Sequence, residues 1–117
     1  MTGKSYPEYY RELQKLAGGL GKEIKGPFSA FAQLHGAALG DGALSRKVKE
    51  LMALAISITS HCRGCLAYHV RDAMEAGATR EEILEAIGLS IFMGGGPSMV
   101  YGCEALKALE EFSETEK

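Results

Sequence analysis

Five residues within one twenty-residue stretch carry chemically useful side chains: Glu50, His61, Cys62, Cys65 and His69. Cys62 and Cys65 form a Cys-x-x-Cys pair, a spacing used both for dithiol redox chemistry and for metal knuckles. On a helix, Cys65 and His69 are four residues apart and share a face, which brings an imidazole within reach of a sulfur. Cys62 falls on that face too. Helical Cβ atoms three residues apart lie about 5–6 Å from one another, however, and a disulfide wants about 3.5–4.5 Å. A bond between the two therefore requires Cys62 at the very start of the helix, where the backbone can relax. A helix N-terminus also favours thiolate over thiol, and a protonated His69 adds to the effect. Glu50, from the preceding helix, can orient His69 or relay a proton to it, completing a nucleophile, base and orienter.

Each residue also has a plainer reading. Cys62, Cys65 and His69, with Cys103 or His61, amount to a set of zinc ligands, although a zinc ribbon pairs two such knuckles and the second is missing. Glu50 reads alternatively as a carboxylate paired with Arg46 or Lys47, or as a solvated residue. His35 lies on an apolar face and reads as a hydrogen-bonded core histidine. Cys103 reads as a buried small hydrophobe. His61 is either a first-turn surface residue or part of a proton path. No metal or cofactor is expected.

The elements that must position these groups follow the helical period throughout. A first helix carries Tyr9, Leu13, Leu16 and Leu20 and stops in Gly18, Gly19 and Gly21. A second opens at Gly26-Pro27, shows Phe28, Phe31, His35 and Ala38 on one face, and ends at Gly40-Asp41-Gly42. Ser45 caps a third, central helix with Val48, Leu51, Met52, Ala55 and Ile58 on a broad apolar surface. After a break at Thr59-Ser60-His61, Ser60 or Thr59 caps a fourth helix that runs through Ala76 and ends at Gly77. Thr79-Arg80-Glu81-Glu82 is a capping box opening a fifth helix that buries Ile83, Leu84, Ile87 and Ile91. Gly94-Gly95-Gly96 breaks that helix, and Pro97 opens a last one with Met99, Cys103, Leu106 and Leu109. The final five residues fray. The fold class is all-α, a bundle of about six helices in one domain spanning residues 1–117.

A chain of 117 residues has room for one domain, and 46% apolar with 24% charged residues is too hydrophobic for a disordered chain. A net charge of −2 leaves no basic excess for nucleic acid. No apolar run approaches the roughly 20 residues of a membrane span. Three cysteines are too few for a secreted disulfide scaffold, so the protein is expected to be cytoplasmic. Gly94-Gly95-Gly96-Pro97 lacks the spacing of a phosphate loop, and the helix ahead of Cys62 argues against a thioredoxin-like βαβ unit.

The pattern Glu50-x11-Cys62-x2-Cys65-x3-His69 resembles the motif of the alkylhydroperoxidase D-like group within the carboxymuconolactone decarboxylase family. The similarity extends through Lys49–Ile56, His69–Gly77 and the Gly94–Pro97 turn, over residues 25–112. It implies an all-helical fold and a peroxidase in which Cys65 is the peroxidatic thiolate and Cys62 resolves its sulfenic acid to a disulfide. In that reading Glu50 and His69 form the proton relay. It further implies a small hydroperoxide as substrate, a lipoyl-bearing or thioredoxin-like protein as thiol reductant, and a homo-oligomer, hexamer or trimer. Well-studied members carry a histidine immediately before the second cysteine, where this chain has Arg63-Gly64. His61 is then the substitute proton carrier, and Arg63 a cation for a thiolate or an anionic substrate. The rival functions are a carboxymuconolactone decarboxylase-type lyase, which would not need the cysteines, and a non-enzymatic redox-sensing or metal-binding oligomeric module. In so short a chain, a substrate cavity is expected to need a neighbouring subunit to close it.

Overall fold

Short connections divide the chain into six helices: α1 (Tyr6–Glu23), α2 (Lys25–Leu39), α3 (Arg46–Thr59), α4 (Arg63–Glu75), α5 (Arg80–Gly94) and α6 (Gly96–Thr115). This is a computed structural model that describes residues 3–115, and it contains no strand among them. Ser5 and Thr79 each close a capping box, with Glu8 and Glu82 reaching back to the cap N–H groups. Ser45 accepts from the Val48 N–H at the head of α3. Gly95 alone separates α5 from α6, and its φ of +74° lies in the left-handed region that glycine enters without a Cβ clash.

Helix α3 is the hub. It packs against α4, α5 and α6, while α1 closes over α4 and α6. Leu54 and Ile58 of α3, Leu66 and Val70 of α4, and Ile83 of α5 have no exposed surface. Burial of such side chains contributes about 1.5–3 kcal/mol each. No helix among the described residues is long and apolar enough to cross a membrane.

Several expectations are corrected. Helix α1 does not stop at Gly18 but continues through all three glycines to Glu23. Its anchor is the N-terminal half, where Tyr6, Pro7 and Tyr10 are buried, whereas Leu16 and Leu20 are mostly exposed. The contacts of Tyr10 with Tyr68 and Phe112, ring centroids 4.9 and 5.8 Å apart, seat the helix. Helix α2 buries nothing, and Phe31 is 68% exposed. His35 is accordingly a surface residue and not a core histidine. Cys103 is a free, exposed thiol. The buried stripe of α6 runs through Ser98, Gly102, Ala105, Leu109 and Phe112, and residue 103 falls one position beside it. Helix α6 holds its geometry to Thr115, with the Ser113 and Thr115 hydroxyls donating to the Leu109 and Phe112 carbonyls. The last two residues of the expected frayed tail lie outside the described residues.

Candidate functional site

The turn between α3 and α4 sets the site. Ser60 ends α3, and its N–H donates to the Ile56 carbonyl. His61 then adopts φ 57°, a left-handed conformation in which histidine is enriched several-fold over most residues. The Cys62 N–H returns to the Ser57 carbonyl at 3.0 Å. The cap of α4 is therefore neither Ser60 nor Thr59. It is Cys62 itself, whose Sγ accepts from the Cys65 N–H at 3.2 Å. This places Cys62 just before the first turn, where its extended backbone brings the Cα atoms of the two cysteines to 5.2 Å, and they are joined by a disulfide. Cys65 is exposed and Cys62 is half-buried.

Helix α4 carries Cys65, His69 and Asp72 at spacings of four and three, which align them along one face. Helix α3 places Glu50 opposite. The Glu50 carboxylate is 1% exposed, and its Oε1 lies 2.8 Å from His69 Nδ1. A carboxylate only accepts, so Nδ1 carries the proton in this bond and Nε2 is left to exchange one. Arg46, one turn earlier on α3, brings its Nε to 3.9 Å from Glu50 Oε2. Lys47, the other partner considered for Glu50, pairs instead with Glu82 at 3.0 Å.

Sequence reasoning missed Asp72. One oxygen of Asp72, one of Glu50 and one ring nitrogen of His69 lie within 4.8 Å of one another. Burial pushes the Asp72 carboxyl above the ordinary aspartate value, and the charge of Glu50 pushes the same way, against the pull of His69 and Arg46. The signal was its position three residues after His69, on the same helical face. These three side chains are the group among the described residues that could hold a metal ion. The Arg46 guanidinium beside Glu50 opposes a cation there.

The remaining candidates stand apart from that group. His61 is exposed, and its ring stacks on Tyr101 at 5.1 Å with 14° between the planes. Arg63 turns away from a role as an open anion site. Its guanidinium lies 4.7 Å from the Tyr9 ring centroid and 5.5 Å from that of Tyr6. Its Nε donates to the Tyr6 hydroxyl at 3.3 Å and faces Glu104 Oε1 at 3.9 Å. Gly64 is the second residue between the cysteines. A Cβ there would lie 3.2 Å from Leu13 Cδ1 and 3.6 Å from the Tyr9 hydroxyl, so α1 rests directly on this turn.

Comparison with known proteins adds a family to this geometry. The model of the carboxymuconolactone decarboxylase family matches residues 27–108. A crystal structure of a carboxymuconolactone decarboxylase family protein from Legionella pneumophila superposes with a TM-score of 0.88 at 40% identity, covering 92% of this chain and 96% of that one. An uncharacterised protein of Cupriavidus necator is 38% identical over 95 residues, 81% of this chain and 84% of its own length. The alkyl hydroperoxide reductase AhpD of Mycobacteroides abscessus is 32% identical over 57 residues, 49% of this chain and 33% of that protein.

Proposed function

The chain belongs to the carboxymuconolactone decarboxylase family, and within it we propose a thiol-dependent peroxidase that reduces small hydroperoxides through a Cys62/Cys65 dithiol–disulfide cycle. The observation that carries this reading is the buried Glu50 carboxylate hydrogen-bonded to His69, one helical turn beyond an exposed cysteine that is disulfide-bonded to its neighbour. The partial match to alkyl hydroperoxide reductases supports the same chemistry.

In the oxidative half, the Cys65 thiolate attacks the outer oxygen of ROOH. The O–O bond breaks, Cys65 becomes a sulfenic acid, and the alkoxide takes a proton from the His69–Glu50 pair to leave as ROH. The Cys62 thiol then displaces water from the sulfenic acid and forms the disulfide. In the reductive half, a dithiol protein attacks the exposed Cys65 sulfur. Cys62 leaves as a thiolate held by the Cys65 N–H, and a better-stabilised leaving thiolate departs faster. The second thiol of the reductant resolves the mixed disulfide and returns Cys65 to the cycle. A lipoyl-bearing or thioredoxin-like protein has the required chemistry, and the reducing cytoplasm is the matching compartment.

The working form in this reading is a homo-oligomer, a trimer or hexamer. The chain exposes 7046 Å², whereas a compact monomer of 12.5 kDa exposes about 6200 Å². The excess is on the order of 850 Å², close to what one partner contributes to a standard interface. Helix α2, with Phe31 and Leu34 at 68% and 60% exposure, supplies an apolar face left open among the described residues.

The test is hydroperoxide consumption with mass mapping of the cysteines. Cys65→Ser should abolish turnover, and Cys62→Ser should accumulate a sulfenic acid on Cys65 that a dimedone-type reagent traps. Undiminished peroxide consumption in Cys65→Ser would overturn the assignment. Lactone decarboxylation that persists in a Cys62→Ser/Cys65→Ser double variant would point to the lyase instead.

A further inference from the structure

We infer that Arg63, clamped between α1 and α6, is a positioning residue that holds the Cys62–Cys65 turn in its bonded geometry and thereby favours the disulfide over the dithiol. The inference rests on the dithiol–disulfide pair of the proposed cycle but not on its peroxide step.

Both residues between the cysteines touch other helices. The Arg63 guanidinium lies over the rings of Tyr9 and Tyr6, donates to the Tyr6 hydroxyl and faces Glu104. Tyr6 has no exposed surface, and the side chains of Arg63 and Glu104 are only 21% and 18% exposed. Tyr6 also donates to Glu104 Oε1 at 2.7 Å, so one carboxylate oxygen anchors both the phenol and the guanidinium. Leu13 and Tyr9 close over Gly64. None of these contacts involves a sulfur, so they survive reduction of the bond. With the turn held, the reduced sulfurs stay near bonding distance and re-form the bond with little further loss of chain entropy.

Arg63 also carries a charge, and a bare cation beside the pair would favour thiolates, hence the reduced form. The two roles have opposite signs. Glu104 neutralises the charge, and the planar group lies on the two tyrosine faces, which puts the weight on the clamp.

The experiment is a redox titration of the full chain in mixtures of reduced and cyclic oxidised dithiothreitol at fixed pH, with the dithiol fraction read by thiol trapping and mass. Two electrons and two protons pass from dithiothreitol to the disulfide, and dithiothreitol closes to its ring. Arg63→Ala and Tyr9→Leu should each shift the equilibrium toward the dithiol about tenfold, close to 30 mV less reducing. Arg63→Lys, which keeps the charge and loses the planar stack, should shift the same way. No shift in any variant overturns the inference, as does a shift toward the disulfide in Arg63→Ala. Wild-type behaviour of both Tyr9→Leu and Arg63→Lys overturns it too, because charge alone would then be acting. Should Arg63→Ala fail to fold, the other two variants decide. A protein inert toward every hydroperoxide would still return this potential, so failure here is separate from failure of the peroxidase reading.

Discussion

Glu50 is the residue whose replacement tests both burial and chemistry. Its carboxylate is 1% exposed and touches His69 Nδ1 at 2.8 Å and Arg46 Nε at 3.9 Å. Removing one partner of a buried pair typically costs about 3–5 kcal/mol, because the other is left without compensation. The His69 side chain retains 20% exposure, so water can reach the ring and Glu50→Ala belongs near the lower end, about 3 kcal/mol. Glu50→Gln keeps an oxygen to accept from Nδ1. Its cost is the difference between a charge-assisted and a neutral hydrogen bond, about 1 kcal/mol. At this chain length that is roughly 4 °C in Tm, and the alanine variant should lose roughly three times as much. Chemical denaturation read by helical circular dichroism gives both values. Hydroperoxide turnover should separate from stability: both variants lose a general acid–base pair and should fall at least about 100-fold, although the glutamine variant is almost fully folded. A stability change under about 0.5 kcal/mol in Glu50→Ala would refute the burial argument. A turnover rate in Glu50→Gln within twofold of the parent would refute the relay.

Asp72 gives a pH test of opposite sign to the usual carboxylate. Its folded pKa is raised, so the native state holds the proton more tightly than the unfolded chain. Stability is unaffected below the ordinary aspartate range, falls as pH rises through the raised folded value, and stays lower above it. Asp72→Asn should therefore gain on the parent from about pH 4 upward in urea unfolding; an advantage that is flat or shrinks with rising pH would contradict the burial-driven shift. On the surface, Phe31→Glu and Leu34→Glu lie on a helix that buries nothing within its own chain. Sedimentation should show the parent as a multimer and the double variant as a 12.5 kDa monomer of unchanged helicity; a monomeric parent would refute the assembly.

The features legible in the sequence are those set by local chemistry. The Ser45 cap and the Thr79 capping box depend on neighbours within four residues, and both occur as read. Glu50 and His69 were legible because helical spacing confined each to one face of adjacent helices. Long-range packing was not legible. Apolar residues at helical spacing in α2 mark an apolar face without saying what covers it. Helix α1 survives its glycines because Tyr6 and Tyr10 lodge among α4 and α6, far away in sequence. Cys103 missed the buried stripe by one position, about 100° of helical rotation. Arg63 could not be placed, since a long flexible side chain finds its partners only in the tertiary structure.

The seat of α1 also has a consequence in time. Tyr6 bonds to Glu104 through its hydroxyl and to Glu111 through its N–H, each at 2.7 Å, so the first helix is tied to the last as well as to α4. During synthesis Cys62 and Cys65 emerge well before either glutamate. At about 5–20 residues per second, roughly 2–10 s separate Cys65 from Phe112. Throughout that interval the Cys62–Cys65 turn lacks Glu104, the α6 side of the enclosure around Arg63. The full enclosure of Arg63 is thus acquired last, when α6 meets α1.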